Sequence, residues 1–185
     1  MAVRIGEPLV VHETALPGVW RLQWSPIADD RGSVQPIYVA SQIHSSALPS
    51  FTVAQTNLTR STRGVIRGVH AEHMHKIVAV LGGRIYAAGV DLRANSPTFG
   101  RHVAFDLGPD EGLFLSPGIG NAFQSTSNEP SLYLYMFDNE WQPGMPGVHV
   151  NALDPELAIP WPILDPRILS EKDRRLPALG SLTAY

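Results

Sequence analysis

"KIVAVLGGRIYAAGVDLR", residues 76–93, decides the fold class. Two runs rich in β-branched, aromatic and small apolar residues flank Gly82-Gly83, and a two-residue glycine step between such runs signals a β-hairpin. The same pattern continues on both sides. Downstream come "RHVAFDL" (101–107), "GLFLS" (112–116), "NAFQST" (121–126) and "SLYLYMF" (131–137), separated by "GPDE", "PGIG" and "SNEP". Upstream stand "GVWRLQW" (18–24), "SVQPIYVA" (33–40) and "FTVAQTNLT" (51–59). These nine runs, with no long amphipathic helix among them, predict an all-β chain. A double-sheet jelly roll, a cupin-like β-sandwich, is the natural closure. One segment reads as helix: "LSEKDRRLPAL" (169–179), with Ser170 as N-cap and Asp173 three residues on. The expected organisation is a single domain over 1–185, with an N-terminal strand extension and a short C-terminal helix in a helical tail.

A chain of 185 residues can bury a core without disulfide or metal staples. Its 44% hydrophobic and 17% charged composition is that of a soluble globular protein. A formal net charge of −3 gives no basic field, so nucleic acid is not an expected partner. The absence of cysteine excludes disulfides, thiolate metal sites and cysteine nucleophiles, and fits a reducing cytoplasm. "MAVRIGEPLVVHET" carries Glu7 and Glu13 without a long apolar core, so it does not read as a signal peptide. No apolar stretch approaches the length of a membrane span. A cytoplasmic protein with no membrane partner is expected.

"RGVIRGVHAEHMHKIVAV" (63–80) holds the chemistry, with His70, His73 and His75 close together and Lys76 directly after them. His73-x-His75 has the spacing of an imidazole ligand pair. No acid follows in "KIVAVLGG", however, and the later turn "GIGNAF" (118–123) offers Asn121 where a further histidine is needed. No metal is expected, and His73 and His75 read as solvated loop residues. His70 ends the run "VIRGVH", where alternation places Ile66, Gly68 and His70 on one face and Arg67 and Val69 on the other. A strand end at the mouth of a barrel is a place where ligands bind.

Further motifs fall in a fixed order around this cluster: "QTN" (55–57), "GVIRGVH" (64–70), Lys76, "VDLRANSPTFGR" (90–101), "GIGNAF", "LYLY" (132–135), "LAIPWP" (157–162) and "LSEKD" (169–173). From Arg31 to Asp173 this order resembles the dTDP-4-dehydrorhamnose 3,5-epimerase family of cupin-fold deoxysugar enzymes. The resemblance implies a homodimer without cofactor or metal, which inverts carbons beside the ketone of a nucleotide-linked 4-keto-6-deoxyhexose. By position, His70 matches the base that removes the α-proton, and Asp173 the carboxylate that orients and charges it. Lys76 matches a cation near the developing enolate, and Tyr135 the tyrosine that returns a proton. Arg31, Gln55, Asn57, Arg67 and Lys172 match residues that hold the nucleotide, chiefly its diphosphate, and Trp141 an aromatic ring against the base.

The residue types suit that chemistry. A base for a ketone-acidified C–H is best poised near neutral pH, which is the range of histidine. A partner aspartate fixes its tautomer, and a fixed cation stabilises charge growing on the ketone oxygen. The strand period puts Tyr133, Tyr135 and Phe137 on one face; Tyr133 reads as core, and the family match selects Tyr135. Two positions depart from the family pattern. Asn121 stands where the family has a histidine in the nucleotide and sugar site. Pro36 stands where the family has a glutamate that reads thymine, and Gln35 reaches that position only if the strand slips by one residue. The expected function is epimerisation at C3, C5 or both of a nucleotide-linked sugar, with dTDP as the expected nucleotide, in deoxysugar biosynthesis. The alternatives are a 3,4-ketoisomerase on a similar substrate and a non-catalytic sugar-nucleotide or metal-binding cupin.

Overall fold

Strand alternation sorts the chain into two facing sheets. The computed structural model describes residues 9–182; Glu7, in the stretch read above as lacking a leader's apolar core, lies outside the described residues, as do the two ends of the expected 1–185 domain. In chain order the elements are β1 (Val10–Glu13), β2 (Val19–Gln23), β3 (Ile27–Asp29), β4 (Gly32–Val34), α1 (Ala40–Ser45), β5 (Gln55–Ser61), β6 (Ile66–Glu72), β7 (Lys76–Gly82), β8 (Ile85–Asp91), β9 (His102–Leu107), β10 (Glu111–Leu115), β11 (Ile119–Ser125), β12 (Ser131–Phe137), β13 (Gly147–His149) and α2 (Glu171–Arg174). One sheet runs β1-β2-β10-β7-β12-β5 and the other β13-β6-β11-β8-β9, while β3 and β4 form a separate hairpin. Every ladder is antiparallel, as a jelly roll requires.

Three apolar layers hold the sheets. Val78, Val80, Ile85, Leu113, Phe123 and Tyr133 fill the space between them. Ile77, Ala79, Phe114 and Met136, on the outer side of the six-stranded sheet, are covered by Ile43 of α1 with Leu48 and Phe51. Ile66, Val69, Ala88 and Ala122, behind the five-stranded sheet, are covered by Leu157, Trp161 and Leu169 from the C-terminal segment. Each fully buried aliphatic side chain contributes about 1.5–3 kcal/mol.

The opening stretch behaves differently from its local signal. β7 and β8 do not pair as a hairpin: β7 lies between β10 and β12, and β8 between β11 and β9. The reason is burial. Ile77 to Val80 and Ala87 to Asp91 are buried without a break, so each run needs partners on both edges and cover on both faces. Gly82-Gly83 therefore serves as a corner between sheets. Gly83 has φ of 70°, and a Cβ there would stand 2.6 Å from Ser127 Oγ, so glycine is required by conformation and by space.

Two further expectations change. "SVQPIYVA" is strand only to Val34, because Pro36 lacks the N–H a ladder needs, and the chain then turns into α1. The helix at the tail is present but only four residues long, with Ser170 Oγ accepting the Asp173 N–H as its cap. Among the described residues no helix is long and apolar enough to cross a membrane.

Candidate active site

Strand parity carries the six-stranded wall of the site. On β7, Val78 and Val80 enter the inter-sheet core, and Lys76, two residues before Val78, shares their face where the packed core gives way to a cavity. On β12, Tyr133 lies in that core and Tyr135 at its edge, paired across the ladders with Asn57 of β5 and Val78 of β7.

β6 supplies the opposite wall through a β-bulge. His70 faces Asn121 of β11 and Arg67 faces Phe123, so Gly68 and Val69 together stand against Ala122 alone. Simple alternation separated Arg67 from His70; the bulge brings both to the same cavity. Gly68 has φ of 125°, and a Cβ there would lie 2.5 Å from Ala122 Cβ. Beyond the bulge alternation resumes, and Glu72 joins His70 in the cavity while Ala71 enters the outer cluster.

The cavity, of about 610 Å³, is the size of a small-molecule site. His70 Nε2 lies 2.8 Å from Asp173 Oδ1. Asp173 is 6% exposed, and the Ser170 cap fixes the backbone that carries it, with Asp173 N to Ser170 Oγ at 3.0 Å. Burial works to raise the Asp173 carboxyl, but its bonds to His70 and Ser170 hold it below the usual range. Lys76 is 3% exposed; its Nζ donates to the His70 carbonyl at 3.0 Å and pairs with the Glu72 carboxylate. Burial pushes the Lys76 ammonium down. Burial works to raise Glu72 too, but the charge of Lys76 brings it below its usual range. Burial raises the Tyr135 phenol well above its usual value, which keeps it protonated and able to donate.

Among the other expected residues, Asn57, Arg67, Asn121, Trp141 and Lys172 line the cavity. Arg67 Nε donates to Ser61 Oγ at 3.0 Å, and Asn121 is buried with its Oδ1 3.4 Å from the Tyr133 hydroxyl. Tyr133 is fully buried core, as read. Gln55 does not line the cavity but braces it: its Nε2 donates to Asn57 Oδ1 at 2.9 Å and its Oε1 accepts the Trp141 N–H at 2.8 Å. Arg31 is not brought to the site. It sits between β3 and β4, 88% exposed in its side chain, and pairs with Asp29 of the same hairpin at 2.5 Å. Gln35 and Pro36 also lie away from the lining.

The other histidines divide. His73 is exposed. His75 is no solvated loop residue: its ring Nδ1 lies 2.7 Å from Asp138 Oδ2 and its N–H donates to Asp138 Oδ1 at 2.9 Å, pinning the start of β7 to the end of β12. Among the described residues no three His, Cys, Asp or Glu side chains gather as a metal-binding group.

Two titratable lining residues, Glu72 and His149, escaped the sequence reading. Glu72 carried a signal, being two residues beyond His70 on the same strand. His149 carried none; it comes from three-residue β13, opposite His70 in the ladder, with the two rings edge to face at 5.3 Å. Burial and the neighbouring His70 charge hold His149 below its usual pKa.

Residues 13–181 match the family model described as dTDP-4-dehydrorhamnose 3,5-epimerase. A dTDP-4-dehydrorhamnose 3,5-epimerase of Streptomyces griseus is 33% identical over 174 residues, covering 91% of this chain and 86% of that protein. A dTDP-4-dehydrorhamnose 3-epimerase of Streptomyces niveus is 35% identical over 166 residues, covering 86% and 78%. Among solved structures, the dTDP-6-deoxy-D-glucose-3,5-epimerase of Legionella pneumophila Philadelphia 1, in complex with dTDP-4-keto-L-rhamnose, superimposes with a TM-score of 0.88 at 26% identity, covering 95% of each chain.

Proposed function

The chain belongs to the dTDP-4-dehydrorhamnose 3,5-epimerase family, and from that membership we propose how its own residues carry out epimerisation. It is an isomerase of the sugar-nucleotide epimerase kind, in deoxysugar biosynthesis. The proposed substrate is a nucleotide-linked 4-keto-6-deoxyhexose, with dTDP as the nucleotide. One observation carries the assignment of roles: His70 and Tyr135 stand on opposite sheets across one cavity. Inversion needs a proton removed from one face of the sugar and returned to the other, and a site that only binds has no need of that opposition.

In this reading His70, oriented by Asp173, removes the proton on the carbon beside the ketone. Charge moves to the ketone oxygen, where the Lys76 ammonium stabilises it. Tyr135 donates to the opposite face of the enolate carbon, and the cycle closes as the protonated His70 gives its proton up to solvent and the Tyr135 phenolate takes one from it. Arg67 and Lys172 bind the diphosphate by charge-assisted hydrogen bonds, and Trp141 offers a stacking face to the base. Asn57 and Asn121 contact the sugar nucleotide, with Gln55 holding Asn57 and Trp141 in place. No step transfers electrons, so no redox cofactor is needed, and with the Lys76 ammonium at the ketone oxygen the reaction is proposed to proceed without metal.

The reading extends to a single functional domain acting as a homodimer in the cytoplasm. The support for the dimer is Arg31: it matches a nucleotide-binding position yet lies, paired only with Asp29 among the described residues, on an exposed hairpin away from its own cavity, where a partner's cavity can reach it. Sedimentation of a monomer at working concentration would remove the dimer.

The deciding experiment is incubation with dTDP-4-keto-6-deoxyglucose in D2O, followed by proton NMR. Deuterium at C3, C5 or both with inverted configuration is the expected result, and the positions labelled separate a 3-epimerase from a 3,5-epimerase. Migration of the carbonyl to C3 would instead identify a 3,4-ketoisomerase, and binding without exchange a non-catalytic protein.

A further inference from the structure

The cation proposed to meet the enolate is buried, and a buried ammonium ordinarily sheds its proton. Lys76 Nζ has two oxygen partners, the Glu72 carboxylate and the His70 carbonyl. The carbonyl favours the charged donor modestly, as a charge-assisted bond, while the Glu72 carboxylate supplies the opposite charge that offsets the burial of the ammonium. The remaining titratable groups around the cavity give little help. Arg67 and His70 of β6, His149 of β13 and Lys172 of α2 are cationic or able to become so, Tyr135 of β12 is a neutral phenol, and Asp173 is engaged by His70. Among the described residues Glu72 forms the only salt bridge to Lys76.

The local chain is built to hold this pair. Glu72 ends β6 and Lys76 begins β7, and between them Met74 is 2% exposed, anchoring the connecting turn in the protein. Glu72 is itself 7% exposed. A carboxylate and an ammonium both withdrawn from water are costly unless paired, so removing one leaves the other uncompensated.

We propose that Glu72 is a positioning residue, which keeps the Lys76 ammonium protonated and aimed at the site where charge develops on the substrate oxygen. This rests on the epimerase reading and adds to it a residue that acts only through Lys76.

The chain has two lysines, Lys76 and Lys172, so full-length protein made with lysine labelled with carbon-13 at Cε shows two signals. Lys172→Arg assigns them. In the unaltered protein the Lys76 signal should stay that of an ammonium through neutral and mildly alkaline pH. In Glu72→Gln, which keeps an acceptor oxygen but loses the charge, it should titrate lower by roughly one to three pH units. The alkaline limb of kcat should move down by the same amount while the acid side holds. Glu72→Asp, which keeps the charge, should restore both, and this separates loss of charge from loss of fold. An unchanged Lys76 titration in Glu72→Gln overturns the proposal, as does a rate loss equal at every pH. If no substrate exchanges its α-proton even with the unaltered protein, the epimerase reading fails, while the lysine signal still decides whether Glu72 holds the charge.

Discussion

His70 Nε2 meets Asp173 Oδ1 at 2.8 Å, joining β6 to a four-residue helix 103 positions later in the chain. The helix exists at that length because Ser170 caps it, and the cap holds the carboxylate that holds the imidazole. Replacing His70 with asparagine keeps similar size but removes the basic nitrogen. Turnover should fall by at least ~10²-fold, the usual worth of a positioned base, and deuterium wash-in at C3 should vanish. Asp173→Asn should lower the rate while leaving nucleotide affinity nearly intact. Exchange at the unaltered rate in His70→Asn would remove His70 from the role of base.

The same carboxylate makes stability depend on pH. Asp173 and Glu72 both have folded-state pKa values below their unfolded ones. Their contribution is therefore fully present above the unfolded carboxyl range, about pH 4, and is lost as pH falls through the lower folded values. Thermal denaturation from neutral pH down to about pH 3 should show a falling melting temperature, with a shallower fall in Asp173→Asn. An equal slope in the variant would mean that Asp173 does not contribute to acid sensitivity.

Tyr135 is assigned to proton return, so removing its hydroxyl should act after the enolate forms. Tyr135→Phe should slow formation of the inverted product more than it slows exchange of the substrate's own α-hydrogen. The two rates are read from one NMR time course in D2O. Equal loss of both would place Tyr135 before or at proton abstraction instead.

Nucleotide affinity should come mainly from the diphosphate, through Arg67 and Lys172 at the cavity wall. Trp141, 36% exposed at the rim, should add stacking that tolerates any base. Neither Gln35 nor Pro36 lines the cavity, so within one chain no side chain from that segment reads the thymine edge. Thymine and uracil share their hydrogen-bonding edge and differ by one methyl group, whose burial is worth about 0.8 kcal/mol, so with no dedicated reader from that segment dTDP and UDP should bind within about tenfold of each other. Titration calorimetry on the two diphosphates gives the ratio. A hundredfold preference for dTDP would point to another reader of the base, such as Gln35 presented from a partner subunit.

What the sequence determined by itself was whatever depends on short-range periodicity. The two-residue period of β12 put Tyr133 and Tyr135 on one face, and "SEKD" carried both its cap and its carboxylate. The order of the motifs identified the family and with it His70, Lys76, Tyr135 and Asp173. Tertiary structure decided everything that depends on which strands become neighbours. Gly82-Gly83 has the local form of a hairpin, yet it turns a corner because both flanking strands are buried on both faces and need partners distant in sequence. Arg67 and His70 share a cavity only because β6 bulges against β11, and a bulge is a property of a pair of strands. His149 reaches His70 through a three-residue ladder between segments far apart in the chain. Glu72 lies between these cases. Its face could be read from His70, but its partnership with Lys76 required a buried turn to fold the two charges against each other where water could not separate them.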